Sequence, residues 1–325
     1  MTKASETPTT GSGQFRVRPL LLEDGETIAA LMVDIYRELG AEPQLGYQAT
    51  IDLFKTPWLA RGAGLVLEDS GSVGGYGWAR DVLWNGREIV QLGLFLRPAC
   101  RMPGVFEILT DPLMALAKKV GRQYGAEDAL VYYRSIDEVH PPIIRSLGFH
   151  DLPTSMLGFR HDLKRWPTQR LPKGLVIRPA SLESERRQLL ALGRDAYDDP
   201  VSQGEPLHEQ YFDLIAGRPG FAPEQILIAE LAGVPVGRGV VMANDHGPKG
   251  GAEIADVCVL PEHRRKRIGA CIVSRMLDWC RRARARSLLT ATFSTNPAAV
   301  LLWQLGFRPD PMRTYYYFLR RLSFA

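Results

Sequence analysis

The chain contains the same sequence unit twice, and this repeat restricts the possible folds more than any other feature. Four landmarks recur in the same order: an Arg-Pro pair, a proline ending a strand-like segment, an arginine three residues later, and Leu-Gly-Phe. They fall at 18–19 and 178–179, Pro98 and Pro261, Arg101 and Arg264, and 147–149 and 305–307. The first pair is 160 residues apart and the next two are 163 residues apart. The last pair is 158 residues apart. Landmarks in the same order at a nearly constant offset indicate a duplicated domain.

Length and composition divide the chain at the same places. Its 325 residues exceed one average domain. We predict an N-terminal domain over 14–163 and a C-terminal domain over 175–325. Residues 164–174 contain two prolines, a glycine and four basic residues, which predicts a linker. Residues 1–13 are rich in Thr, Ser and Gly, which predicts a disordered tail and not a signal peptide.

Apolar residues at helical spacing alternate with strand-like segments in both halves. The spacing predicts helices over 26–39, about 105–124 and about 268–286. Strands alternating with helices predict an α/β layer structure with a mixed sheet in each half.

The strongest chemical signal lies in residues 253–270, where a buried strand leads through a basic turn into a helix. The first turn of a helix has free backbone N–H groups and the positive end of the helix dipole, so it binds anions. Gly269 and Ala270 allow close approach of a ligand to the backbone. Positive charge is added by Arg264, Arg265, Lys266 and Arg267. This arrangement fits a pyrophosphate better than a single carboxylate.

The segment resembles the acyl-CoA-binding motif of the GNAT superfamily. Arg264, Ile268 and Gly269 match that motif, whereas Arg267 stands where its first glycine usually sits. Asn296 opens a segment that resembles the Asn-x-x-Ala of the family. The resemblance covers 175–322, and more weakly 15–163. It implies two tandem GNAT-like domains, each a mixed, mostly antiparallel sheet flanked by helices.

The resemblance also implies an activity, which is the transfer of an acetyl group from acetyl-CoA to an amine. It further implies which residues bind the co-substrate. The strand before the turn is expected to pair with the pantetheine arm and to donate a backbone N–H to the oxyanion. The full set of expected acetyl-CoA contacts is Val257, Cys258, Val259, Arg264, Arg265, Lys266, Arg267, Ile268, Gly269, Ala270 and Asn296. No metal ion is expected.

Two carboxylates are candidates for the general base that deprotonates the amine. Glu253 lies where some family members carry a catalytic glutamate, and Asp256 follows three residues later. On a regular strand, residues three apart point to opposite faces, so both could line one pocket only if a bulge intervenes. Each could also be paired with a nearby arginine. Glu253 is the favoured base.

The general acid is not identified by the sequence. Many family members use a tyrosine after the asparagine, where this chain has Trp303 or Leu302, depending on the direction of counting. We interpret Trp303 as a packing residue. Water, or one of the tyrosines at 315–317, could protonate the thiolate instead.

The N-terminal copy has lost much of the motif. Phe106 takes the place of a small residue, and the turn before it lacks the basic cluster. Val90 and Gly93 fall at the positions of the two candidate carboxylates. We interpret this copy as a degenerate domain that shapes the substrate groove.

Charge and composition exclude several classes of protein. The net charge of +4 is too small to indicate nucleic-acid binding. No Cys-x-x-Cys pair or metal-ligand spacing occurs, which fits a reducing cytoplasm. No apolar run is long enough for a membrane span. The oligomeric state is left open, although a tandem repeat can mimic a dimer in one chain.

Three functions remain open at this point. The first is an N-acetyltransferase acting on a primary amine. The second is a non-catalytic acyl-CoA-binding module, which the missing tyrosine permits. The third is a related acyltransferase of the mycothiol-synthase type. The sequence does not identify the acceptor.

Overall fold

The structure, a computed structural model, describes residues 14–40, 63–84, 87–197, 209–218, 220–244 and 247–324. These residues form two compact units. The first contains residues up to Pro153 together with those from Tyr316 onward, and the second is Thr154–Tyr315. The predicted disordered tail, residues 1–13, lies outside the described residues.

The first unit begins with strand β1 and helix α1 and continues as alternating strands and helices. Its elements are β1 (Phe15–Pro19), α1 (Gly25–Glu38), β2 (Ala63–Asp69), β3 (Ser72–Trp84), β4 (Arg87–Leu96), α2 (Phe106–Tyr124), β5 (Asp128–Arg134) and α3 (His140–Ser146). Strand β6 (His150–His161) starts in this unit and continues into the second.

The second unit repeats this order, with one more helix and one more short strand among the described residues. Its elements are β7 (Leu175–Pro179), α4 (Leu182–Tyr197), α5 (Glu209–Ala216), β8 (Ile226–Leu231), β9 (Val234–Asn244), β10 (Gly247–Val259), α6 (Ile268–Arg282), β11 (Leu288–Phe293), α7 (Ala298–Gln304) and β12 (Arg308–Pro309). The final strand is β13 (Tyr315–Arg321). Helix α6 ends before the predicted limit near 286, since Arg284 has a positive φ of 56°.

Each unit contains a mixed sheet that is mostly antiparallel. In the first, the strand order is β1-β2-β3-β4-β5-β13, and β5 joins β4 in parallel. In the second, the order is β7-β8-β9-β10-β11-β6, and only the β10–β11 pair among them is parallel. The predicted fold class is therefore confirmed.

Helices cover both faces of the second sheet. Successive residues of a strand point to opposite faces, so neighbouring residues of β9 contact different helices. At Gly239 an added Cβ would lie 2.3 Å from Met276 Cε and 2.4 Å from Ile272 Cγ2, so α6 contacts the backbone of β9 directly. The next residue, Val240, is buried in a separate cluster with Leu189 of α4. Burying an aliphatic side chain of this size contributes roughly 1.5–3 kcal/mol.

The duplication is visible in three dimensions. In each unit, the arginine of the repeated Arg-Pro pair bridges a carboxylate near the start of the first helix and another on the second strand. Arg18 pairs with Asp24 at 2.7 Å and Glu68 at 2.6 Å, and Arg178 pairs with Glu185 at 2.6 Å and Glu230 at 2.5 Å. The same three-charge arrangement at matching positions supports descent from one ancestral unit.

The compact units do not follow the linear halves of the sequence. Residues 156–161 of β6, which lie in the predicted N-terminal domain, pair with β11 in the second unit. Residues 316–321 of β13 lie beside β5 in the first unit. Each unit therefore takes its last strand from the other half of the sequence.

The predicted linker, residues 164–174, belongs to the second unit. Its Trp166 contacts His161 edge-to-face at 5.7 Å, and the Arg281 guanidinium lies 4.7 Å from the Trp166 ring. All four cysteines are buried free thiols. None of the helices in the described ranges is long and apolar enough to cross a membrane.

Candidate active site

Strands β10 and β11 of the second unit separate and leave an opening in the sheet. Among the described residues they pair at two positions, Ala252 with Leu288 and Glu253 with Leu289. Both strands continue beyond these pairs, and residues 257–259 of β10 pair with β9 on their other side. Their backbone groups on the β11 side are therefore available to a ligand that adds as a strand. These are the residues that the sequence predicts to bind pantetheine.

The turn after β10 is basic and strained. It starts with a 3-10 helix at Pro261–His263, and Arg265 and Arg267 then have positive φ values of 62° and 64°. A left-handed conformation costs roughly 1–2 kcal/mol for a residue other than glycine. The side chains of Arg265, Lys266 and Arg267 are exposed. Gly104, at the repeat position of Arg267, has a φ of 86°, so this position is left-handed in both units.

The side chain of Arg264 holds this turn together. Its Nε donates to the Val259 carbonyl at 3.0 Å, and its Nη2 donates to the Ala196 carbonyl at 2.8 Å. Arg101 of the first unit donates in the same way to the Leu96 carbonyl at 2.9 Å. The Arg264 guanidinium thus ties the end of β10 to the end of α4, while the three exposed basic side chains that follow remain at the surface.

Helix α6 begins directly after the turn, and no side chain caps its N-terminus. Ile268 and Ala270 are buried, whereas Gly269 is partly exposed. A Cβ added at Gly269 would meet only Leu301 Cδ2 at 3.4 Å and Val259 Cγ2 at 3.8 Å among nearby atoms. The first turn of α6 therefore has uncapped N–H groups, an accessible backbone and positive charge. These features fit the pyrophosphate of acetyl-CoA.

Asn296 shapes the start of α7 beside this turn. Its Oδ1 accepts a hydrogen bond from the Ala298 N–H at 2.8 Å. Leu302 of the same helix is buried, but Trp303 is 61% exposed. The interpretation of Trp303 as a packing residue is therefore wrong, since its indole lies on the outer face of a short helix.

A β-bulge changes the geometry of the candidate bases. Ile254 pairs with Val241 and Asp256 pairs with Val240, so Ala255 is an extra residue on β10. The extra residue shifts the alternation by one, and Glu253 and Asp256 lie on the same face. The expectation that they face opposite sides is wrong, and the bulged alternative is the one observed.

Glu253 is a half-exposed carboxylate paired with a distant arginine. Its Oε2 accepts a hydrogen bond from Arg313 Nη1 at 2.9 Å. The Glu253 side chain retains 39% of its exposure and Arg313 retains 28%. The carboxylate is therefore accessible to a substrate from solvent.

Asp256, in contrast, is fully engaged within the protein. Its Oδ2 accepts from Arg238 Nε and its Oδ1 accepts from the Tyr197 hydroxyl, each at 2.7 Å. Burial, with the adjacent Asp256 charge, raises the pKa of Tyr197, so its hydroxyl stays protonated. An added Cβ at Gly193 would lie 2.4 Å from Arg238 Nη2, so this glycine makes room for the guanidinium.

The matching positions in the first unit are built differently. Strand β4 pairs with β3 without a register shift, and Gly93 there lies opposite Trp78. The Gly104 N–H donates to the Glu107 carboxylate at 2.5 Å, at the place where the second unit offers free N–H groups. The side chain of Phe106 is buried at the start of α2. An internal carboxylate thus occupies the anion position of this unit.

Sequence reasoning missed three residues of this neighbourhood. Arg238 has a recognisable signal, a charged residue between two glycines in an apolar strand. Tyr197 ends α4 and has no local signal that marks it as a partner of Asp256. Arg313 has no local signal, since it meets Glu253 only through the fold. No group of three or more potential metal ligands occurs in the described residues.

Comparison with known proteins identifies the class. Residues 190–307 match the family model described as the acetyltransferase (GNAT) family. No curated protein sequence matches the chain. The match lies entirely within the second unit and includes the bulge, the basic turn and Asn296.

Solved structures show the same fold over nearly the whole chain. A GCN5-related N-acetyltransferase from Sphaerobacter thermophilus has a TM-score of 0.76 at 16% identity, covering 97% of this chain and 98% of that chain. A tandem GNAT protein from the clavulanic acid biosynthesis pathway has a TM-score of 0.69 at 16% identity, covering 96% and 100%. The glucosamine N-acetyltransferase region of a fungal multi-domain β-N-acetylglucosaminidase has a TM-score of 0.69 at 15% identity, covering 98% and 39%.

Residues 190–307 are therefore a GNAT acetyltransferase domain, and the protein is an acyltransferase. The low identities of the solved structures show a shared fold and do not identify an acceptor.

Proposed function

We propose that the chain is an acetyl-CoA-dependent N-acetyltransferase with one active site, in the Thr154–Tyr315 unit. The observation that supports this most directly is the strained basic turn, which leads into an uncapped helix beside the opening between β10 and β11. Backbone strain of this kind clusters at active sites and ligand-binding turns. The four buried thiols fit the reducing cytoplasm in which we place the reaction.

The reaction is a direct transfer between two substrates. The acceptor amine attacks the thioester carbonyl carbon, the C–S bond breaks, and CoA leaves as a thiolate that takes up a proton. Backbone N–H groups of 257–259 stabilise the oxyanion. Glu253 accepts the proton from the amine, directly or through water. Asp256 is the weaker candidate because both of its oxygens already accept bonds from buried donors.

A single site follows from the difference between the two units. The Glu107 carboxylate already accepts the Gly104 N–H in the first unit. Calorimetry should therefore give one acetyl-CoA per chain, and Glu107→Gln should leave that stoichiometry unchanged, since the buried Phe106 still fills the turn. Two equivalent sites in the unmodified protein would contradict the proposal.

The role of Glu253 is tested by replacement with glutamine, which keeps size but cannot take a proton. Glu253→Gln should lower the rate at neutral pH by about 10²–10⁴-fold and leave acetyl-CoA affinity nearly unchanged. Raising the pH should restore part of the rate by supplying free amine. Glu224→Gln, at an exposed carboxylate, is the matched control. A loss equal to that of the control would remove Glu253 from the mechanism.

A non-catalytic acyl-CoA-binding module is the second candidate. It is favoured by the absence of a titratable side chain at Leu302 and Trp303, where the family commonly has tyrosine. Thiol release from acetyl-CoA in the presence of a panel of amines distinguishes the two. Stoichiometric binding without amine-dependent release would favour the module.

A further inference from the structure

The ion pair between Glu253 and Arg313 suggests which amines the enzyme accepts. The two residues come from different parts of the second unit. Glu253 lies in β10 at the edge of the opening, and Arg313 lies in the segment after β12. They meet at 2.9 Å, and both side chains remain partly exposed. A substrate reaching Glu253 therefore also meets the Arg313 guanidinium.

The backbone of Gly158 in β6 holds the segment that carries Arg313 in place. The Gly158 carbonyl accepts the Asp310 N–H at 2.8 Å, and the Gly158 N–H donates to Thr314 Oγ1 at 3.1 Å. A Cβ at Gly158 would lie 2.5 Å from Arg313 Cβ and 2.6 Å from its carbonyl carbon. Asp310 also caps the turn by accepting the Met312 N–H at 3.1 Å. Only a glycine at position 158 allows the Arg313 backbone to pass so close to β6.

Stability alone does not account for so fixed an arrangement. Ion pairs with this degree of exposure contribute little to folding, because solvent screens them and their side chains lose entropy. The segment from Asp310 to Thr314 is nevertheless fixed to β6, because the carbonyl and the N–H of Gly158 each form a hydrogen bond with one end of it. This directs the guanidinium at the candidate base.

A second arginine lies on the same face of the sheet as Glu253. Arg160 is exposed and lies in the same row of the sheet as Glu253, with Leu289 between them. Side chains in one row share a face. A simple ammonium ion could replace Arg313 as the partner of Glu253 but would leave the Arg313 guanidinium without a counter-charge. An amine that carries its own carboxylate would satisfy both members of the ion pair.

We propose that the acceptor is an amino acid-like zwitterion, whose carboxylate binds Arg313 while its amine faces Glu253. This inference rests on the proposed acetyltransferase function. On binding, the internal ion pair is exchanged for two contacts with the substrate. The planar guanidinium suits a carboxylate because it can donate two parallel hydrogen bonds. Proton transfer to Glu253 and acetyl transfer then proceed as described above.

The test compares acceptors that share one amine and differ in the carboxylate. L-amino acids are assayed with acetyl-CoA against their C-terminal amides and their decarboxylated amines, and kcat/KM is measured from thiol release. The amino acid should exceed its amide by more than about tenfold. The amide has the more acidic ammonium group and hence more free amine at neutral pH, so this chemical bias works against the expected result.

Substitution of Arg313 tests the contact itself. Arg313→Gln should lower kcat/KM for the amino acid at least tenfold, mainly through KM, and leave the amide within about threefold. Arg313→Lys keeps the charge without the planar fork and should lie between. Arg282→Gln removes the same charge at the end of α6 and is the control. Acetyl-CoA affinity, measured by calorimetry, confirms that each variant is folded.

Several outcomes would overturn the inference. Wild-type preference for amides or simple amines would do so, as would an equal loss for all acceptors in Arg313→Gln. If no acceptor reacts, calorimetry of the amino acids with the CoA-loaded protein decides, and absence of binding contradicts the proposal. Failure of acetyl-CoA itself to bind would instead refute the underlying acetyltransferase function.

Discussion

Replacing Asp256 with asparagine should damage folding more than chemistry. The Asp256 carboxylate accepts hydrogen bonds at 2.7 Å from both Arg238 and Tyr197, and the side-chain exposures of Arg238 and Asp256 are 0% and 2%. Asparagine keeps the shape but loses the charge, and its NH2 group can be accommodated only if the Tyr197 hydroxyl turns to accept from it, because Arg238 is a donor only. Arg238 cannot lose its proton at accessible pH and is left buried without a counter-charge.

The magnitude follows from that uncompensated charge. Removing one partner of a buried ion pair costs about 3–5 kcal/mol, because the remaining ion keeps its desolvation penalty. For a unit of this size, each kcal/mol lowers the Tm by about 2–4 °C, so the Tm should fall by roughly 6–20 °C. Tyr197→Phe removes one hydrogen bond to the buried carboxylate and leaves the ion pair in place, so it should cost less, about 1.5–3 kcal/mol.

Urea denaturation followed by circular dichroism and by tryptophan fluorescence measures this loss. The double variant Arg238→Met with Asp256→Asn removes the unpaired charge and should recover part of the stability. If Asp256→Asn stays within about 1 kcal/mol of the wild type, the carboxylate does not compensate Arg238, and the reasoning is refuted. Asp256 would then be available as a base.

Three further predictions concern the phosphate turn and acid stability. Gly269→Ala should weaken acetyl-CoA binding by about tenfold or more, because the added methyl group occupies space next to the phosphates. Stability should rise by up to about 1 kcal/mol, since the new Cβ makes ordinary contacts and alanine favours the helix; unchanged affinity in calorimetry would remove the turn from the site. Arg267→Ala should be less stable to urea than Arg267→Gly by about 1 kcal/mol, since the position is left-handed, although both lose the same charge; equal stabilities would contradict the strain. Hydrogen bonds from Arg178 and the Ser181 N–H lower the pKa of Glu185 from 4.5 to about 2, so its contribution is present above about pH 4.5 and is lost as the pH falls toward 2. Glu185→Gln should therefore cost about 1 kcal/mol at pH 7 after solvent screening and clearly less at pH 2, where half of the folded protein carries a protonated Glu185; an equal loss at both pH values would argue against this linkage.

Periodicity and repetition predicted the elements of the fold well. The offset between Arg18 and Arg178 located matching three-charge arrangements, and the helix expected from 268 begins at Ile268. These features are local, because helical spacing, prolines and a basic turn act over a few residues. The strand–turn–helix that carries the candidate anion site is of this kind.

The geometry around the base could not be predicted in the same way. The bulge at Ala255 is a backbone irregularity with no distinctive residue, and it moved Glu253 and Asp256 onto one face. Arg313 reaches Glu253 from 60 residues away along the chain. Such contacts depend on how the strands are assembled, which the spacing of apolar residues does not encode.

Each unit takes its last strand, β6 or β13, from the other half of the sequence. This arrangement affects the order in which the protein can fold during synthesis. The first unit needs residues 316–321, which the ribosome makes only after all of Thr154–Tyr315. At 5–20 residues per second, those roughly 160 residues take about 10–30 s. Throughout that time one edge of β5 has no β13 beside it, and open strand edges promote aggregation. The unit that is translated first is therefore the one that is completed last, and its exposure to chaperones and to misassembly is set by the speed of translation.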